Sequence, residues 1–145
     1  MIDIFLSNDP LGQGWNCLED GPMYLVDGGL WQRVSRHRLW RPPTDIYETD
    51  QSVVVRLEVA GMKEEDFSIT LHDKRLYICG TRGDIAERRA FHQMEIPFGQ
   101  FALELELPSP VDPDRVEAFY RDGFLKITLT KAATYSVQIV EDDNS

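Results

Sequence analysis

The chain has 145 residues, enough for one domain with a short arm at either end, and 42% of them are apolar, which suffices for a buried core. Lys and Arg number 15 against 25 Asp and Glu, a net charge of -10 that disfavours non-specific binding to nucleic acid or to an anionic membrane. No run approaches eighteen consecutive apolar residues, so no membrane span is expected, and Met1 to Leu6 lacks the basic-then-apolar order of a secretory signal. Residues 1–42 come first and show no clean period. They are dense in glycine and proline yet hold all three tryptophans, so they are too apolar for a solvated linker and call for a partner surface. Within them only Leu30 to Arg41 has the one-sided spacing of a short helix, through Leu30, Trp31 and Val34.

From Pro43 the period becomes two. Val53, Val55, Leu57 and Val59 alternate with polar positions, as do Phe67, Ile69 and Leu71, and then Leu76 and Ile78. The same alternation returns in Phe101 to Leu107 and in Leu125 to Leu129. Each run predicts a strand with one dry face and one wet face. Several such strands without an intervening long helix predict two antiparallel sheets packed face to face, an immunoglobulin-like β-sandwich. Asp122-Gly123, between Val116–Arg121 and Phe124–Thr130, is a two-residue hairpin signal, and His72-Asp73-Lys74 supplies a second turn. Gly61 to Asp66 fits one helical turn, and Pro108, Pro110 and Pro113 mark a rigid connection between sheets. Residues 81–97 are the least regular and read as a long excursion carrying one edge strand. After Lys131, a short apolar alternation from Tyr135 to Val140 is flanked by polar residues, too small to fold alone and suited to docking on an edge.

Catalytic chemistry is hard to find. His37, His72 and His92 are scattered, and His92 with Glu95 has metal-compatible spacing only on a helix, whereas in a strand-like stretch the two point to opposite faces. Gly12-Gln13-Gly14 has no preceding strand and no Lys-Ser/Thr after it, so it is not a phosphate loop. Cys17 and Cys79 make neither a zinc pattern nor a disulfide framework, which suits a reducing cytosol; Cys79 reads as a packing residue. The basic cluster Arg33, Arg36, His37, Arg38 and Arg41 reads as a contact for the acidic body of this or a neighbouring subunit.

Five ordered pieces resemble the small heat-shock proteins of the α-crystallin domain family, bacterial and plant members in particular. Pro43 to Asp50 is similar to the domain entry. Val59-Ala60-Gly61-Met62-Lys63-Glu64-Glu65-Asp66-Phe67 is similar to a family stretch in which proline is usual at the position of Ala60. Phe91 to Phe101 resembles the aromatic-His segment, Ala118 to Leu125 the Ala-x-x-x-Asp-Gly-x-Leu signature, and Val137-Gln138-Ile139 the tail motif Ile-x-Ile. The resemblance implies an arm over 1–42, an α-crystallin domain over 43–131 and a tail over 132–145. It implies that a strand around Arg89 to Glu95 (Phe91, His92, Glu95) pairs with Asp45, Ile46 and Tyr47 of a second subunit to form a dimer. The arginines that help knit this interface in relatives are Gln93, Ile96 and Leu103 here. It further implies that Val137 and Ile139 insert into a groove lined by Phe67, Ile69, Leu71, Val116 and Ala118, a burial of roughly 3–6 kcal/mol before ordering costs. Repetition of that link builds a larger homo-oligomer.

The expected function is that of a cytoplasmic, stress-response, ATP-independent chaperone, not an enzyme and without a cofactor. It would hold unfolding proteins on exposed apolar surface, with Phe5, Leu6, Trp15, Leu18, Tyr24, Leu25, Trp31 and Trp40 as the contacts of the arm. One alternative is a monomeric co-chaperone module of the CS-domain type, against which the tail motif and the Ala118–Leu125 signature speak. The other is a β-sandwich hydrolase or carbohydrate-binding domain, which needs clustered carboxylates or aromatics within the sandwich rather than tryptophans in the arm.

Overall fold

The computed structural model describes residues 2–6, 39–83, 90–133 and 138–141, together with the backbone of 24–26 and 30–32. Its strands in chain order are β1 (Ile4–Leu6), β2 (Tyr24–Val26), β3 (Leu30–Gln32), β4 (Thr44–Glu48), β5 (Ser52–Glu58), β6 (Phe67–His72), β7 (Arg75–Arg82), β8 (Gly99–Glu106), β9 (Val111–Arg121) and β10 (Phe124–Lys131). A single 3-10 turn, Glu64–Asp66, precedes β6. The sandwich consists of a sheet ordered β1-β6-β7-β8 and a second ordered β4-β5-β10-β9. The expected β-sandwich is therefore present.

Alternation does what it predicts. Val53, Val55 and Leu57 of β5 and Leu125, Ile127 and Leu129 of β10 face inward against Ile69, Leu71, Leu76, Ile78, Leu103 and Leu105 of the opposite sheet, forming one core. Phe101 fills its end, edge-on to Phe67 with ring centres 6.1 Å apart. Gly80 lies beside that ring because a Cβ there would stand 2.8 Å from Phe101 Cζ and 2.5 Å from the Asp66 carbonyl oxygen. The β9–β10 hairpin turns on Asp122 and Gly123 with φ of 52° and 83°, the left-handed pair that matches strand twist in a two-residue loop. Tyr120 fastens the connection from β5 to β6: its hydroxyl donates to the Val59 carbonyl at 2.8 Å and accepts from the Met62 N–H at 3.2 Å.

Four local expectations are corrected. Leu30–Gln32 pairs as a strand with Tyr24–Val26, Leu25 opposite Trp31, where a helix was expected; aromatic and β-branched side chains favour such cross-strand pairs. β9 begins at Val111, so Pro113 sits inside a strand; β9 is an edge, and its register with β10 shifts between Leu129 and Lys131, where a missing N–H is tolerated. Residues 90–98 form no strand. Cys79 is buried and disulfide-bonded, against the expectation of unbridged cysteines, while Cys17 lies outside the described residues.

Candidate functional site

Two sheet edges meet on one side of the sandwich. β9 ends its sheet, and β6 would end the other were it not for β1. The residues expected to line a docking groove lie on these two strands. Phe67, Ile69 and Leu71 contribute buried side chains from β6, Ala118 contributes a buried methyl from β9, and Val116 is half-buried against the core. Inward alternation of both strands places these side chains in the core.

The space between the two strands is taken by the chain itself. β1 runs parallel to β6 with Ile4 opposite Ile69, Phe5 opposite Thr70 and Leu6 opposite Leu71. Two residues before this ladder, the Ile2 N–H donates to the Ala118 carbonyl at 3.1 Å, so the segment touches both edges. Ile2 is only 7% exposed and belongs to the core, and Ile4 packs against it. Phe5 and Leu6 remain 58% and 53% exposed. Sequence reading missed Ile2 and Ile4 as groove residues. The signal was their spacing, which equals that of Val137 and Ile139: two aliphatic side chains one residue apart share a face of an extended chain.

On the opposite flank β4 ends its sheet, with one side unpaired among the described residues. Asp45 is exposed there, as are Ile46 (39%) and Tyr47 (43%). At its end, Glu48 accepts a hydrogen bond from the Ser109 hydroxyl and lies 3.5 Å from the Lys131 ammonium. The Ser109 bond foremost, and the lysine charge, hold its carboxyl below the usual range.

Residues 90–98 expose Phe91, Met94, Ile96 and Phe98 over a cavity of about 420 Å³ whose floor includes Ala60 and Arg82. Arg82 anchors this segment: its guanidinium donates twice to the Pro97 carbonyl (Nε at 2.9 Å), once to the Ala60 carbonyl at 3.3 Å, and lies 4.2 Å from the Trp40 ring centre. His92 and Glu95 are both exposed, and the Glu95 carboxylate accepts from the Gln93 amide at 2.8 Å. The expected exchange partners Asp45, Ile46, Tyr47 and Phe91, His92, Glu95 thus lie on an open edge and on an exposed segment.

The arm residues divide. Trp40 is half-buried: its indole N–H donates to the Gly99 carbonyl at 3.0 Å and its ring stands edge-on to Phe101 at 5.3 Å. It therefore closes the core, which limits its availability for client contact. Tyr24, Leu25 and Trp31 are described in backbone only, and Trp15, Leu18 and Val137 lie outside the described residues, as does most of the basic cluster. Ile139 is described and is 89% exposed. Among the described residues no helix is long and apolar enough to cross a membrane.

Comparison with known proteins agrees with this geometry. A family model described as Hsp20/alpha crystallin family matches residues 45–141. "Small heat shock protein C2" of Rickettsia felis is 30% identical over 92 residues, 62% of this chain and 60% of that protein; the chain thus spans less than two thirds of that relative. "Spore protein SP21" of Stigmatella aurantiaca is 32% identical over 125 residues, 85% of this chain and 74% of that one. Among solved structures, a small heat-shock protein from Xylella fastidiosa superimposes with a TM-score of 0.62 at 25% identity, covering 72% of this chain and 98% of that one. Heat shock protein 16.0 from Schizosaccharomyces pombe gives 0.59 at 28% identity, covering 71% and 99%.

Proposed function

The chain belongs to the Hsp20/alpha crystallin family, and from that premise we propose that it is an ATP-independent holdase, a chaperone rather than an enzyme, that binds unfolding proteins on apolar surface and keeps them from aggregating. The observation that carries this reading is the finished core beside unfinished surfaces. The inner faces of β5, β6, β7, β8 and β10 are buried, yet among the described residues β4 leaves an edge open and Ile46, Tyr47, Phe91, Met94, Ile96 and Phe98 stay exposed. Such an edge and such side chains attract extended apolar polypeptide, whether a second subunit or a client.

In the resting assembly, β4 of one subunit pairs with the 90–95 segment of another, making a dimer. Val137 and Ile139 then link dimers through the groove between β6 and β9. Stress or subunit exchange releases these contacts, and clients take the freed surfaces, Phe5 and Leu6 included. Because capture replaces one set of apolar contacts by another, it needs no nucleotide. The acidic residues Glu141, Asp142 and Asp143 keep loaded complexes soluble through net charge. The reading places the chaperone in the cytoplasm with the unfolding proteins it holds.

The test is the light-scattering mass of the wild type beside Val137→Ala/Ile139→Ala, with aggregation of a heated client followed on both. A large assembly that shrinks toward dimers in the double variant is expected. An unchanged mass removes the tail from the mechanism, and a lone subunit that leaves the client to precipitate refutes the reading.

A further inference from the structure

We infer that Cys79 is bonded to Cys17 of the same chain, and that this bond is a redox-controlled tether holding the segment around Cys17 on the outer face of the β6-β7-β8 sheet. The sequence contains two cysteines, and Cys79 is disulfide-bonded within the single chain, so Cys17 is its partner. The placement of Cys79 fixes where the bond acts. Leu76 and Ile78 of β7 belong to the core, and alternation turns Cys79 to the other face of the sheet. Because β7 is paired on both sides, that position lies mid-sheet, away from either edge. The cross-strand neighbours of Cys79 are Ser68 on β6 and Ala102 on β8, both small and both half-buried. Thr70 stands diagonally across from it on the same face. An outward position among short side chains stays wet unless a further segment lies on it. Yet Cys79 is 1% exposed and Thr70 2%, and neither belongs to the core cluster. This patch is therefore covered, and the bond names the occupant as the arm at Cys17, which lies outside the described residues.

Trp15 and Leu18 stand within two residues of Cys17. Side chains so close to the cross-link cannot leave the sheet while it holds, so oxidation withdraws them from the client-binding surface of the arm. That consequence rests on the holdase reading above; the bond itself does not. The chemistry is thiol–disulfide exchange with a small-molecule disulfide as oxidant. One cysteine thiolate attacks that disulfide, breaks its S–S bond and expels a small thiolate, leaving a mixed disulfide on the protein. The second cysteine thiolate attacks the protein sulfur of the mixed disulfide, the Cys17–Cys79 bond forms and a second small thiolate leaves. The pair of protein thiols is oxidised by two electrons, the small disulfide is reduced to two thiols, and the two protons end on those thiols. A dithiol reverses the sequence and is itself oxidised to a cyclic disulfide. In a reducing compartment the open form is the resting one, and the closed form appears when disulfides accumulate.

The test uses the full wild-type chain incubated with oxidised glutathione or with dithiothreitol, beside the full chain carrying Cys17→Ser. On oxidation the wild-type mass should fall by about 2 Da, the two hydrogens lost with the thiols. The denatured chain should then lose both titratable thiols and still run as a single chain on a gel without reductant. A non-reduced digest should contain one linked pair of peptides, joining Cys17 to Cys79. In aggregation of a heated client, the dose of oxidised wild type needed for half-suppression should rise severalfold over the reduced form, whereas Cys17→Ser should need the same dose under both conditions. Thiols that stay free after oxidation, or a bond between two chains, overturn the inference. A linked chain that suppresses aggregation at the same dose as the reduced one also overturns it, because the tether then withdraws nothing. If neither form suppresses aggregation while the linked pair is present, the bond stands and the holdase reading fails.

Discussion

Replacing Tyr120 by phenylalanine keeps the ring 5.1 Å from that of Phe67 and deletes one oxygen that serves two backbone groups of the β5–β6 connection, the Val59 carbonyl and the Met62 N–H. Each hydrogen bond contributes about 0.5–1.5 kcal/mol net, and a buried group left unpaired costs about 1–3 kcal/mol. Both bonds here are partly buried, so water recovers a share of the loss. A destabilisation of about 1–2 kcal/mol is expected. For a domain of this size one kcal/mol moves the melting temperature by about 4–8 °C, so Tyr120→Phe should melt roughly 5–15 °C below wild type. Calorimetry at fixed protomer concentration is the appropriate assay, because assembly itself shifts apparent stability. A urea titration should show a lower midpoint with unchanged slope. A melting temperature within about 2 °C of wild type would refute the view that this hydroxyl fastens the β5–β6 connection.

Gly80→Ala places a methyl 2.5 Å from the Asp66 carbonyl, whose turn is held by the Asp66 carboxylate accepting from the Lys63 N–H at 2.8 Å, and against the wedged Phe101 ring. Neither neighbour can yield cheaply, so a loss of about 1–3 kcal/mol is expected; an unaltered urea midpoint contradicts that packing. Glu48 has a folded pKa below its unfolded one, so its contribution is present above the ordinary carboxylate range and disappears as pH falls through the lowered value. Wild type should therefore melt above Glu48→Gln at pH 7 and converge with it below about pH 4, whereas a constant gap across that range speaks against the Ser109 and Lys131 contacts. Ile46→Lys puts a charge on the open β4 edge, where the side chain is exposed in the single chain. Its mass should drop below that of the dimer building block while the far-ultraviolet circular dichroism is retained; full assembly of Ile46→Lys removes β4 from the interface.

Much of the fold was legible because the sandwich strands are long enough for period-two alternation to appear, as in Val53, Val55 and Leu57 or Leu125, Ile127 and Leu129, and because Asp122-Gly123 states its own turn. The buried positions of β6 and of Ala118 followed from the same alternation. What fills the groove did not. β1 has three residues, too few for a period, and its conformation is decided by the distant edge of β6. Leu30–Gln32 escaped for the same reason, its one-sided spacing being compatible with a helix until β2 claims it. Pro113 suggested a connection, yet an edge strand absorbs a proline that a central one would reject. The 90–98 segment has the composition of an edge strand, yet it forms none. Trp40 read as part of an apolar arm, but its indole is spent on Gly99, Phe101 and Arg82.

The central claim is tested most directly by heating an aggregation-prone client enzyme with an equimolar amount of the purified protein, in the absence of any nucleotide, and following turbidity. The account predicts that scattering is strongly suppressed and that the client elutes in a soluble complex with the chaperone. Turbidity that rises as fast and as far as with the client alone would contradict it.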